Sequence, residues 1–84
     1  MTLKERIDQL TAIEELRLKL CDKCKVDAQV YQMFLVGCGE YWKIEAVRND
    51  GSFAYAKDFE TADDLADHMM ILIAGAMLAN GEEV

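Results

Sequence analysis

Apolar positions along this chain follow two periods, and the places where the period changes mark out its elements. From Leu3 to Cys24 they fall three or four apart. Leu3, Ile7 and Leu10 form one stripe, and Ile13, Leu16, Leu20 and Cys24 form a second, rotated from the first. Thr2 with Glu5, and Thr11 with Glu14, each fit a capping box. A straight helix carrying both stripes has a very wide apolar face. A bend or break near Thr11 is therefore favoured over one helix from about Leu3 to Lys23.

From Tyr41 to Phe59 the period falls to two, which reads as two strands closed by Asn49-Asp50-Gly51. A two-residue Asp50-Gly51 loop pairs Ala46 with Tyr55 and Trp42 with Phe59, and puts Trp42, Ile44, Ala46, Phe53, Tyr55 and Phe59 on one face. A three-residue loop with Gly51 left-handed shifts the parity, burying Ala54 and Ala56 and exposing Phe53 and Tyr55. The first register is favoured. Val26 to Val36 fits a strand, or a helix capped by Asp27. The turn-like Gly37-Cys38-Gly39 and the weakness of a lone hairpin favour the strand.

The helical period returns at Ala62, after a third capping box at Thr61 to Asp64, and continues to about Ala79, with Gly81 as a stop signal. Leu65, Met69, Leu72 and Ala76 form one stripe, and Ala66, Ile73 and Met77 another. No polar residue interrupts Met69 to Ala79. The expected fold is α+β and a single domain over residues 1–84. It has an N-terminal helix, single or divided at Thr11, then a three-stranded antiparallel meander. A long C-terminal helix packs on one face of the sheet. A helix apolar all round must be covered all round. The expected cover is a second copy of the chain, seated on Met69, Met70, Ile73 and Met77, with Ala74, Gly75 and Ala76 letting the backbones approach.

Charge changes the picture. The 84 residues carry a net charge of −7, which argues against direct contact with nucleic acid or an anionic membrane. Acids and bases cancel over residues 1–57. From Asp58 onward there are Asp58, Glu60, Asp63, Asp64, Asp67, Glu82 and Glu83 but no Lys or Arg. Three cysteines, and an N-terminus with no apolar core of a signal peptide, point to free thiols in a reducing cytoplasm.

Candidate chemistry is sparse. Cys21 and Cys24 have C-x2-C spacing, and Cys38 and His68 complete four zinc ligands on paper. No second C-x2-C or H-x3-H supports this, and two small buried residues on the Ile13/Leu16/Leu20 stripe are the favoured account of the pair. His68 follows Asp64 by four residues, which predicts a hydrogen-bonded surface pair. No nucleophile accompanies it, so no catalytic residue and no cofactor are expected. Tyr31, Tyr41, Phe53 and Tyr55 are candidates for an aromatic contact patch, with core packing as the simpler role. The run Asp58, Glu60, Asp63, Asp64 and Asp67 either is a solvated helix start favoured by the helix dipole or imitates the charge spacing of a nucleic-acid backbone.

The order helix, three antiparallel strands, helix resembles that of double-stranded RNA-binding domains. That family starts its last helix with lysines, where this chain has Thr61-Ala62-Asp63-Asp64. The segment from Phe53 to Leu65, a strand ending in Lys57-Asp58-Phe59 followed by an acidic cap and an amphipathic helix, resembles the small acidic anti-CRISPR inhibitors that phages encode. That resemblance implies a phage protein acting in the host cytoplasm, a non-enzymatic inhibitor that occupies a nuclease's nucleic-acid channel as a DNA mimic. The partner expected is a protein with a basic surface. The alternative is an interaction subunit that docks through its apolar C-terminal helix.

Overall fold

The structure, a computed structural model, describes residues 1–37 and 39–83. The chain runs α1 (Leu3–Cys24), β1 (Val26–Leu35), β2 (Gly39–Arg48), β3 (Phe53–Phe59) and α2 (Ala62–Ala79). The strands form one antiparallel sheet in the order β1-β2-β3. Both helices lie on the same face of it, side by side. With extents of 43 × 28 × 15 Å the molecule is a thin slab. One layer of helices covers one layer of strands, and the second sheet face is left open.

Thr2 caps α1 as expected. Its hydroxyl accepts the Glu5 N–H at 3.1 Å, and the Glu5 carboxylate accepts the Thr2 N–H at 3.3 Å. The expected break at Thr11 is absent, and α1 is continuous for 22 residues. The wide apolar face that argued for a break is simply not all buried. Ile13 and Leu20 enter the core, while Leu3, Ile7 and Leu10 stay exposed. Glu14 does not cap a second helix but pairs with Arg17 at 2.6 Å. Lys25 ends α1 in the left-handed conformation, φ 56° and ψ 47°, and turns the chain into β1.

The β2–β3 hairpin contains both expected registers. At the loop, the Gly51 N–H donates to the Arg48 carbonyl at 2.9 Å, and the Arg48 N–H donates to the Ser52 carbonyl at 2.8 Å. This is the three-residue loop, with Gly51 at φ +88°. It pairs Val47 with Phe53 and turns Phe53 onto the open face, where it is exposed; its expected burial is corrected. One bulge follows. Ala54 falls between Phe53 and Tyr55, the parity resets, and Ala46 pairs with Tyr55 and Trp42 with Phe59.

The core is built between sheet and helices from Leu20 of α1, Ala28, Trp42, Ile44, Ala46 and Phe59 of the sheet, and Ala62, Leu65, Met69 and Ile73 of α2. Each large side chain buried here contributes about 1.5–3 kcal/mol. Thr61 caps α2 by accepting the Asp64 N–H at 3.1 Å. At its end Glu82 N–H donates to Met77 and Gly81 N–H to Leu78, at 2.8 and 3.1 Å, with Gly81 left-handed.

Candidate functional site

The acidic run does not form one surface. Asp58 lies on the open face of the sheet, opposite Lys43 in the ladder. Glu60, Asp63, Asp64 and Asp67 lie around the start of α2, on the other side of the sheet, and all are exposed. Pairing of the helices adds a carboxylate to this end of the molecule. Glu5 of α1 and Asp63 of α2 line the same shallow cleft, with Gln9 and Ala66. Nothing in the local pattern around Glu5 announces this, because it depends on how the two helices sit together. Among the described residues none of Asp58, Glu60, Asp63, Asp64 or Asp67 is in an ion pair. The cations pair elsewhere: Arg6 with Glu40, Arg17 with Glu14, Lys23 with Glu82 and Lys43 with Glu45.

The expected dimer surface is also divided. Met69 is fully buried in the chain's own core, and Ile73, nearly buried, reaches the surface only in the groove between the helices. Ala74, Ala76 and Met77 are half-buried, and Met70 and Gly75 remain exposed together with Ile71 and Leu78. Leu16 and Lys19 of α1 and Met70, Ala74 and Met77 of α2 line an open groove of about 270 Å³ along the outer side of the helix pair.

His68 is not a surface partner of Asp64. It is half-buried where α2 meets β3, with its ring 5.0 Å from Phe59 and 6.0 Å from Tyr55. Its Nε2 and the Tyr55 hydroxyl are buried without a hydrogen-bond partner. The helix turns Asp64 toward water, while the aromatic side of β3 attracts the imidazole. Burial, and then the nearby Lys57 charge, hold His68 below its ordinary value of 6.5.

Cys21 and Cys24 are half-buried free thiols. The Cys21 sulfur accepts the Ala28 N–H at 3.3 Å, and Cys24 sits 3.7 Å from the Leu72 carbonyl. Burial, with the Cys21 charge second, pushes the Cys24 thiol up and keeps it protonated. Cys38 lies outside the described residues. Its neighbours Gly37 and Gly39 stand at the far end of β1 from Cys24. Among the described residues no three His, Cys, Asp or Glu side chains gather to hold a metal.

Of the four candidate aromatics, Tyr31, Tyr41 and Phe53 share the open sheet face, and Tyr55 lies on the opposite, helix-covered face. Tyr31 and Met33 with Lys43 and Glu45 line a shallow depression on that open face. No helix of the described residues is long and apolar enough to cross a membrane.

What this geometry defines is a two-layer α+β protein, a helix pair on a three-stranded antiparallel sheet, with several candidate contact surfaces. The sequence matches no protein-family model, and comparison with curated proteins and with solved structures returns no significant match.

Proposed function

We propose that this chain is a small non-enzymatic binding protein of the cytoplasm, an anti-CRISPR-like inhibitor. It presents the carboxylates around the start of α2 to a basic, nucleic-acid-binding site of a partner protein. One observation carries the reading. Glu60, Asp63, Asp64 and Asp67 are exposed and have no cationic partner among the described residues, although four of the chain's cations are paired elsewhere. Their field is therefore directed outward, where it attracts a basic groove.

The test uses an RNA-guided nuclease loaded with its guide and a fluorescent target duplex. The chain displaces the duplex, and displacement fades as salt rises. Replacing Asp63, Asp64 and Asp67 together by Lys abolishes displacement. The triple variant also loses a favourable dipole interaction of about 0.3–1 kcal/mol at each of Asp63 and Asp64, so its circular dichroism is measured alongside. A folded triple variant that still displaces the duplex rules the reading out.

A second reading rests on the groove between the helices and the exposed Met70, Ile71 and Leu78 beside it. A partner docked there binds in high salt, tolerates the triple Lys variant and is lost on Met70→Asp.

A further inference from the structure

The two edges of the sheet differ. The β3 edge is seven residues long, is bulged at Ala54 and carries Lys57 and Asp58, all features that discourage strand addition. The β1 edge is ten residues long, and from Ala28 to Leu35 it has no charge, no Pro and no Gly.

Which backbone groups of β1 point outward follows from two observations. The N–H and C=O of Arg48 bond toward β3. By alternation Val47, Glu45, Lys43 and Tyr41 bond toward β1, to Asp27, Gln29, Tyr31 and Met33. The remaining set, Ala28, Val30, Gln32 and Phe34, points out of the sheet. Ala28 confirms this independently. Its N–H donates to the Cys21 sulfur, and its C=O accepts Arg17 Nη1 at 2.9 Å, so α1 closes the edge at that residue. Further along, Arg6 of α1 reaches Glu40 of β2 at 3.5 Å. Among the described residues nothing bonds the outward groups of Val30, Gln32 and Phe34.

We infer that the free stretch Val30–Phe34 of β1 pairs antiparallel with the same stretch of a second copy, joining two sheets across a two-fold axis at Gln32. The register follows from which groups are free. Gln32 pairs with Gln32, Val30 with Phe34 and Phe34 with Val30, each pair exchanging two bonds. Sliding by one ladder step sets Phe34 against Ala28, whose groups are taken, or Val30 against Val36, which lies beyond the strand. The side chains fit the same register. On the helix side Phe34, 73% exposed in the single chain, packs on the half-buried Val30 of the other copy. On the open face Tyr31 meets Met33 in a close pair. The segment carries no charge to repel its copy. This interface is separate from the acidic face and from the helix groove.

The experiment is solution mass by light scattering over a range of concentration, with amide hydrogen exchange on the same samples. The expected result is twice the chain mass, with the Val30, Gln32 and Phe34 amides protected only where the dimer forms. Gln32→Pro removes an outward donor that the chain's own ladder does not use, and weakens dimerisation at least about tenfold. Phe34→Lys removes the ring that packs on Val30 of the other copy and sets a charge against that apolar side chain, weakens dimerisation likewise and serves if the proline variant misfolds. A chain that is monomeric throughout overturns the proposal. So does a dimer in which these three amides exchange freely, or one that survives both variants and is lost on Ile71→Asp.

Discussion

The two helices are built alike at their starts and used differently. Each opens on a threonine cap and carries more apolar surface than one face can hold. The second helix puts Ala62, Leu65, Met69 and Ile73 into the core, one or more per turn from its first residue to its twelfth. The first gives the core only Ile13 and Leu20, and leaves Leu3 and Ile7 at 77% and 53% exposure. Leu16, Cys21 and Cys24 pack against that core from its second half, where Arg17, Cys21 and Lys23 add polar contacts. Amphipathic pattern predicts that a helix exists, but not how much of its apolar face the rest of the chain can reach.

The largest expected effect breaks this contrast at its strong side. Leu65→Ala empties a fully buried site and costs about 2–5 kcal/mol in chemical denaturation. Ile7→Ala changes stability by less than about 0.5 kcal/mol. Equal losses would mean that both helices anchor the fold alike. Caps come next. Thr61→Ala costs about 1 kcal/mol, because the turn it starts is packed from Ala62 onward. Thr2→Ala costs less than half of that, since the first turns of α1 can fray without exposing any core.

The smallest effect is on pH dependence. His68 is held below 6.5 by burial, so the unfolded chain takes up its proton first. The stabilisation from neutral His68 is complete above pH 6.5 and is lost as pH falls below that value toward the folded pKa. On α1 the hydrogen bond from Arg17 holds Glu14 below its ordinary 4.5; its contribution is lost only in more acid solution. Denaturation followed between pH 7 and 5 should show a slope that His68→Phe removes and Glu14→Gln leaves in place.

Local chemistry made much of this fold legible. The Thr61 cap and Gly81 marked the ends of α2, and Gly37 marked the end of the strand Val26–Leu35. Errors arose where a tertiary choice decided between two local options. Thr11 looks like a cap, but continuing the helix keeps every backbone bond and costs only exposed leucine and isoleucine. His68 has Asp64 within reach, yet ring contact with Phe59 and Tyr55 won. The acidic run is contiguous in sequence, but a strand and a helix that lie on different sides of a sheet carry its two parts. Exposure of Glu60, Asp63, Asp64 and Asp67 was thus readable, and the separation of Asp58 from them was not.

The bulge at Ala54 has a consequence for chain length. Each other residue of β3 is counted, because removing one moves every later side chain to the opposite face. Ala54 is the residue in excess. Without it Phe53 would still meet Val47, Tyr55 would still meet Ala46, and the alternation would simply run unbroken. The strand therefore has one site where a codon can be lost without disturbing either face, three residues past the loop glycine.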